Sequence, residues 1–324
     1  MRLILKAIAA LLIVIACLAV TFPRDGVDRE LSFDETALPD DLDAYLAASE
    51  AQVAGLTEGS AKHIVWAGAV GAKMPLAFVY VHGFSATAAE IRPVPDNVAK
   101  AAGANLYFMR LVGHGQSGDA LAQATAGDWV EDMAQAMAIG RRLGDRVVLV
   151  ATSTGAPLAA IAATDAGLRD GLAGVVMISP NFGLKSAAGV ILDMPLARWW
   201  GPVVAGATRS FEPVNDQHAA HWTHTYPTTA LFPMAALVRE GRGLDFSTAK
   251  VPLLLIYAEA DQVIDPARIP GVADAWGGAV TTEKMVVGPG DDPYSHVIAG
   301  DILSPGQTAR ATEVILGWMG ANGL

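Results

Sequence analysis

From about residue 62 the chain alternates between short apolar runs and helical stretches. His63–Trp66, Leu76–Val81, Leu106–Leu111, Val147–Val150, Leu172–Ile178, Val251–Tyr257 and Glu283–Val287 read as strands. Most are continuous apolar runs, the pattern of strands buried on both faces. Asp128–Leu143, Ala156–Ala166, Pro266–Trp276 and Thr308–Trp318 read as helices. Thr87–Ala102 also reads as helical, with Thr87 and Glu90 spaced as a capping box and Pro93 and Pro95 dividing it into two pieces. Strands alternating with helices predict an α/β fold, a mostly parallel central sheet flanked by helices. Ligands of such sheets bind at the carboxyl ends of the strands.

Two stretches break the rhythm. Residues 182–248 are too long for a connection and carry Trp199, Trp200, Trp222, Phe211, Tyr226, Phe232, Met194 and Met234. We read them as a largely helical cap inserted between the core pieces 62–181 and 249–324. Trp199, Trp200 and Trp222 are its candidate pocket residues, although most such aromatics serve only as a subdomain core. At the other end, Arg2 and Lys6 precede an uncharged apolar run, Ala7–Val20. A charged start before an apolar stretch predicts a signal or membrane anchor over residues 1–22. The rest of the chain would then lie on the non-cytoplasmic side of a bacterial-type membrane. Val14-Ile15-Ala16-Cys17 resembles a lipoprotein box, so an uncleaved anchor, a lipid on Cys17 and a cleaved signal stay open. Residues 23–61 form an acidic connector, with a short helix expected over Asp41–Val53.

Charge and cysteine content remove several function classes. The formal net charge of −11 argues against nucleic acid, which needs clustered Lys and Arg. The single cysteine, Cys17, leaves the folded part without a disulfide, thiolate metal site or cysteine nucleophile. His218, His221 and His224 recur every three residues, but no carboxylate or thiolate partner lies within their run, so we read a polar helical face and no metal.

Ala151-Thr152-Ser153-Thr154-Gly155 carries the sharpest chemistry. It joins a strand directly to a helix. A serine at such a turn needs small neighbours two residues away on each side, and its hydroxyl is pushed clear of the sheet. A hydroxyl nucleophile needs a base, and the base an orienting acid. His296 follows the last strand and Asp261 follows the strand before it, so both lie at the same end of the sheet as Ser153. Asp265, Glu259 and Asp292 stay open as alternatives to Asp261. His82-Gly83-Phe84 follows Leu76–Val81, and its loop is expected to present the Phe84 N–H beside that of Thr154 as an oxyanion hole. His82 and His114 read as structural residues, and Tyr294 and Ser295 as neighbours that shape the site.

Val81-His82-Gly83-Phe84, Leu111-Val112-Gly113-His114-Gly115-Gln116-Ser117-Gly118, the serine turn, Asp261 and His296 together resemble the α/β-hydrolase family. The carboxylesterase and monoacylglycerol-lipase-like branch, with its helical cap between the sixth and seventh main strands, is the part it looks most like. The resemblance covers about residues 62–320. Ala151 stands where the family usually has Gly. The resemblance implies a serine hydrolase that cleaves carboxylic esters, small-molecule or lipidic, through an acyl-enzyme and without a cofactor. A peptidase, thioesterase or acyltransferase would use the same triad, and a non-catalytic binding protein would use the same fold. Nothing in the chain sets the oligomeric state.

Overall fold

The computed structural model describes residues 4–6, 8, 14, 24–186 and 188–324. Its strands are β1 (His63–Val65), β2 (Met74–Val81), β3 (Asn105–Phe108), β4 (Gly144–Thr152), β5 (Leu172–Ile178), β6 (Thr208–Ser210), β7 (Thr225–Pro227), β8 (Leu253–Tyr257) and β9 (Val280–Lys284). Its helices are α1 (Leu42–Glu50), α2 (Val94–Ala102), α3 (Gly118–Gln123), α4 (Ala126–Leu143), α5 (Gly155–Thr164), α6 (Ala188–Leu192), α7 (Ala197–Ala205), α8 (Asp216–His221), α9 (Leu231–Arg242), α10 (Ile269–Ala275) and α11 (Thr308–Ala321).

Seven strands form one sheet in the order β1-β3-β2-β4-β5-β8-β9. Only β1, at one edge, runs antiparallel to its neighbour. Helices cover both faces, which is why the central strands are apolar on every side chain. Ala77, Val79 and Val81 of β2 are buried among residues of α4 and α5, including Trp129, Met133, Leu158 and Ile161. Phe78 and Tyr80 of the same strand are buried on the opposite face with Val98 of α2 and Ile315 and Trp318 of α11. The Asp41 side chain caps α1 through the Ala44 N–H. Leu42 and Leu46 of that helix are buried, and Glu50 at its end holds Arg110 through two hydrogen bonds of 2.7 and 2.8 Å. Thus the acidic connector packs on the body.

Several expectations are corrected. Residues 88–93 form turns, and α2 starts only at Val94, with Pro95 in its first turn where a missing N–H costs nothing. The Glu90 carboxyl does not cap the segment and turns to Gly83 instead. The last strand is Val280–Lys284 rather than Glu283–Val287, paired in register from Leu253↔Val280 to Tyr257↔Lys284. As an edge strand it is polar, so the apolar Met285–Val287 beyond it drew the assignment, although Val286 is largely exposed. The insert lies between β5 and β8, the fifth and sixth strands of this sheet in chain order. It holds α6 to α9 and an antiparallel pair, β6 and β7. Helix α9 packs on α5, where a Cβ on Gly241 would sit 2.9 Å from Pro157 Cβ.

The membrane-anchored or exported location, with the catalytic domain on the non-cytoplasmic side, is overturned: among the described residues no helix is long and apolar enough to cross a membrane. Of the expected anchor over residues 1–22, only 4–6, 8 and 14 are described. The remainder, including Cys17, lies outside the described residues.

Candidate active site

Ser153 sits between β4 and α5 with φ +50°, in the left-handed region that a side chain enters only under strain. Backbone bonds hold it there. Its N–H donates to the Ile178 carbonyl at 2.9 Å, and its own carbonyl accepts the Ala156 and Asn181 N–H groups at 3.0 Å each. Gly155 is needed for a different reason: a Cβ there would lie 2.4 Å from the Val81 carbonyl oxygen, so α5 could not start this close to β2. Ala151 is fully buried between Val81 and Met177 in the ladder, and its methyl group is accommodated.

His296 Nε2 lies 2.9 Å from Ser153 Oγ, and His296 Nδ1 lies 2.8 Å from Asp261 Oδ2. Asp261 is fully buried in the turn after β8. Its Oδ1 accepts the N–H groups of Val263 and Ile264 at 2.8 and 2.9 Å, which aims Oδ2 at the imidazole. Burial works against a charged His296. The hydrogen bond and charge of Asp261, with the charges of Glu90 and Asp292, outweigh it and hold the imidazole pKa above its ordinary value. The three rival carboxylates are engaged elsewhere. Asp265 caps the turn at Pro266–Arg268, and Glu259 pairs with Lys284. Asp292 braces the loop that carries His296: Oδ2 accepts the His296 and Val297 N–H groups, Oδ1 accepts that of Tyr294, and the Asp292 N–H donates to Ser304 Oγ.

The loop after β2 is held as firmly. Leu111 N–H donates to His82 Nε2 at 3.1 Å, so the neutral ring carries its proton on Nδ1 and donates it to the Gly83 carbonyl at 2.9 Å. Burial above all, and Arg110 nearby, lower the His82 pKa to about 4, which keeps that tautomer at neutral pH. Ala86 N–H also donates to the Gly83 carbonyl, and Gly83 N–H donates to Glu90 Oε2 at 2.7 Å. Because a trans peptide sets N–H opposite C=O, these bonds turn the Phe84 N–H away from the Gly83 carbonyl. His114 is buried beneath this loop, its ring 5.9 Å from that of Phe84 and 5.4 Å from that of Trp129.

Phe84, Thr154, Ser153, Glu90 and His296 line one cavity of about 430 Å³. The insert adds Phe211, His218, Trp222, Leu231 and Met234 to its wall, and Tyr294 joins from the His296 loop. Of the three candidate tryptophans, the structure brings only Trp222 to this cavity. Trp199 is 74% exposed and lines a separate depression with Arg24 and Asp25. Trp200 packs on the core, its indole N–H on the Pro195 carbonyl. Both sit on α7, which is set outside the cavity wall. The three histidines do not share one solvated face either. His218 is buried, stacks on Phe211 and accepts the Val214 N–H on Nδ1, whereas His224 is beyond the end of α8. The sequence singled out Asp292, His82 and His218 for other reasons, as an alternative acid, a structural histidine and part of a polar face, and nothing in it announced the contacts they make here. Glu90 did carry a signal, its spacing from Thr87, and that signal pointed to a helix cap.

A family model described as serine aminopeptidase, S33, matches residues 72–286, a span that contains Ser153 and Asp261 and ends before His296. Among solved structures, a metagenome-derived lipolytic enzyme is similar at a TM-score of 0.65 and 18% identity, over 82% of this chain and 99% of that one. The monoacylglycerol lipase of Paleococcus ferrophilus is similar at 0.58 and 14%, over 81% and 98%. A soluble variant of monoglyceride lipase from Saccharomyces cerevisiae is similar at 0.56 and 9%, over 81% and 91%. No curated protein matches the chain. The structural likenesses establish the fold, and the family match covers well over half of the sequence. The chain belongs to the serine aminopeptidase, S33, family, and it is a serine hydrolase of the α/β-hydrolase fold.

Proposed function

We propose that the protein hydrolyses carboxylic esters through an acyl-enzyme on Ser153. What carries this reading is the relay Ser153 Oγ–His296 Nε2, His296 Nδ1–Asp261 Oδ2, at 2.9 and 2.8 Å, opening on a cavity with largely apolar walls. Ser153 Oγ attacks the ester carbonyl as His296 takes its proton, and Asp261 holds the ring and stabilises the imidazolium. The Phe84 and Thr154 N–H groups receive the oxyanion. His296 then protonates the departing alkoxide. Water, deprotonated by the same imidazole, attacks the acyl-enzyme and releases the acid with Ser153 restored.

The insert acts as a cap: Phe211, Trp222, Leu231 and Met234 close the cavity over the serine. A cavity of about 430 Å³ is in the range that encloses small ligands, and its walls suit a medium-chain or lipidic acyl group. The family's description names an aminopeptidase, which defines the second reading to test.

The experiment is labelling with a fluorescent fluorophosphonate beside the Ser153→Ala protein, followed by turnover of p-nitrophenyl esters and aminoacyl anilides. Labelling of the parent alone and turnover of esters without anilides is expected. A Ser153→Ala protein that keeps its esterase turnover would sink the reading, and preferred cleavage of the anilides would move it to the peptidase.

A further inference from the structure

Glu90 is 2% exposed in the wall of the cavity that holds Ser153, yet it has no part in the proton relay. Its Oε2 accepts the Gly83 N–H at 2.7 Å and the Tyr80 hydroxyl at 2.9 Å. That hydroxyl lies 3.2 Å from Oγ1 of Thr152, the residue before the nucleophile. The other carboxyl oxygen presses on Gly83: a Cβ there would be 2.6 Å from Glu90 Oε1 and 3.2 Å from Ser153 Cβ. Carboxyl and nucleophile therefore flank the same glycine, and a side chain at position 83 would displace one of them.

We propose that Glu90 is a positioning residue that couples the loop presenting the Phe84 N–H to the base, His296. The proposal rests on the ester-hydrolase reading above. Its first arm is mechanical. Without an acceptor, the buried Gly83 N–H would be left unsatisfied, which costs free energy that water would otherwise have supplied. The loop would then turn to find another partner and carry the Phe84 N–H with it. Its second arm is electrostatic. A carboxylate here stabilises the imidazolium that forms when His296 takes the serine proton, and it opposes the oxyanion growing beside Phe84.

Tyr80 on β2 donates to Glu90 directly, and titratable groups from other elements line the same cavity: His296, Asp292 and Tyr294 on the loop after β9, and His218, Glu212 and Tyr226 on the insert. Burial raises the Glu90 pKa to about 7, against the opposing pull of Gly83, Tyr80 and His296. The coupling is reciprocal, since the Glu90 charge in turn raises the His296 pKa.

The test compares Glu90→Leu and Glu90→Gln with the parent, reading kcat and KM for a p-nitrophenyl ester, the acid limb of kcat/KM, fluorophosphonate labelling and the unfolding midpoint. Glu90→Leu is expected to lower kcat by about 10²-fold, as loss of an oxyanion donor does, with KM changed far less. In Glu90→Gln the side-chain carbonyl keeps both contacts and recovers most of that loss. Its acid limb moves to lower pH, because the charge that raised the His296 pKa is gone. A Leu variant that turns over like the parent, or a Gln variant whose acid limb stays in place, overturns the proposal. Should the Leu variant fail to fold, the Gln profile decides alone. A parent that neither labels nor hydrolyses the ester removes the ester-hydrolase reading and this proposal with it. A labelling parent with unaltered variants removes only this one.

Discussion

Asp261 differs from its rivals in what its second oxygen does. Two backbone N–H groups hold Oδ1, so the carboxylate cannot swing, and Oδ2 stays on His296 Nδ1. Replacing it by Asn keeps the shape and removes the charge that, in the proposed mechanism, orients and stabilises the imidazolium. Asp261→Asn is expected to lower kcat by on the order of 10⁴-fold. The pH profile carries the same information with its sign. As the proposed base, His296 acts when neutral, and its pKa lies above the ordinary 6.5, so kcat/KM is expected to fall away as pH drops through that raised value. In the Asp261→Asn protein the residual activity should persist to lower pH, which a stopped ester assay across the acid limb measures. That Ser153, Asp261 and His296 lie together was legible in the sequence because each sits in the segment after a strand, and strand ends in a parallel sheet meet on one side. Glu90 was not legible. Its three-residue spacing from Thr87 is a helix-cap signal, and the carboxyl is drawn instead to an N–H seven residues back in the chain.

At the scale of the element, the loop from β9 to α11 holds His296 in place. It has no regular structure around His296, and side-chain bonds supply its order. Asp292 accepts three backbone N–H groups, Ser304 Oγ donates to the Val297 carbonyl, and Ser179 Oγ donates to the His296 carbonyl. Asp292→Ala should lower kcat by about 10²-fold through misplacement of the imidazole. Labelling would slow in parallel while the far-UV circular dichroism stays that of the parent. The misread boundary of β9 did not disturb the placement of His296, because either boundary leaves the loop at the carboxyl end of the sheet. The start of the polar edge strand carries no apolar signal because one of its sides meets no neighbour, so burial imposes little apolar pattern on it.

Across the molecule, the connector and the insert meet the sheet by different means. The connector is tied by a buried ion pair, Arg110 with Glu50, each side chain 6% exposed. Burial opposes the Glu50 charge, but the bonds and charges of Arg110 and Lys62 prevail and lower its pKa in the folded state. Its stabilisation is therefore present above the ordinary carboxylate value and is lost as pH falls through the lowered folded value. Glu50→Ala strands the Arg110 charge in the interior and should cost about 3–5 kcal/mol, read from urea unfolding at neutral pH. The insert was recognisable as a break in the strand–helix rhythm and as a concentration of aromatics. Which aromatics reach the cavity was not recognisable, because Trp199, Trp200 and Trp222 carry the same local signal. Helix α7 holds the first two outside the wall, and the turn after α8 brings the third into it.

The sequence by itself determined the layered α/β plan, the order of its elements, and the tight turn that bears Ser153. Each of these is written in local patterns of burial and in small residues at close approaches. Only the tertiary structure decided which polar groups face the cavity and what holds them. The Glu90 bond to Gly83, the Asp292 brace on His296, the neutral tautomer of His82 and the presence of His218 in the wall arise where packed segments bring donors and acceptors together. A buried N–H must find an acceptor wherever packing supplies one, and no spacing along the chain records that choice.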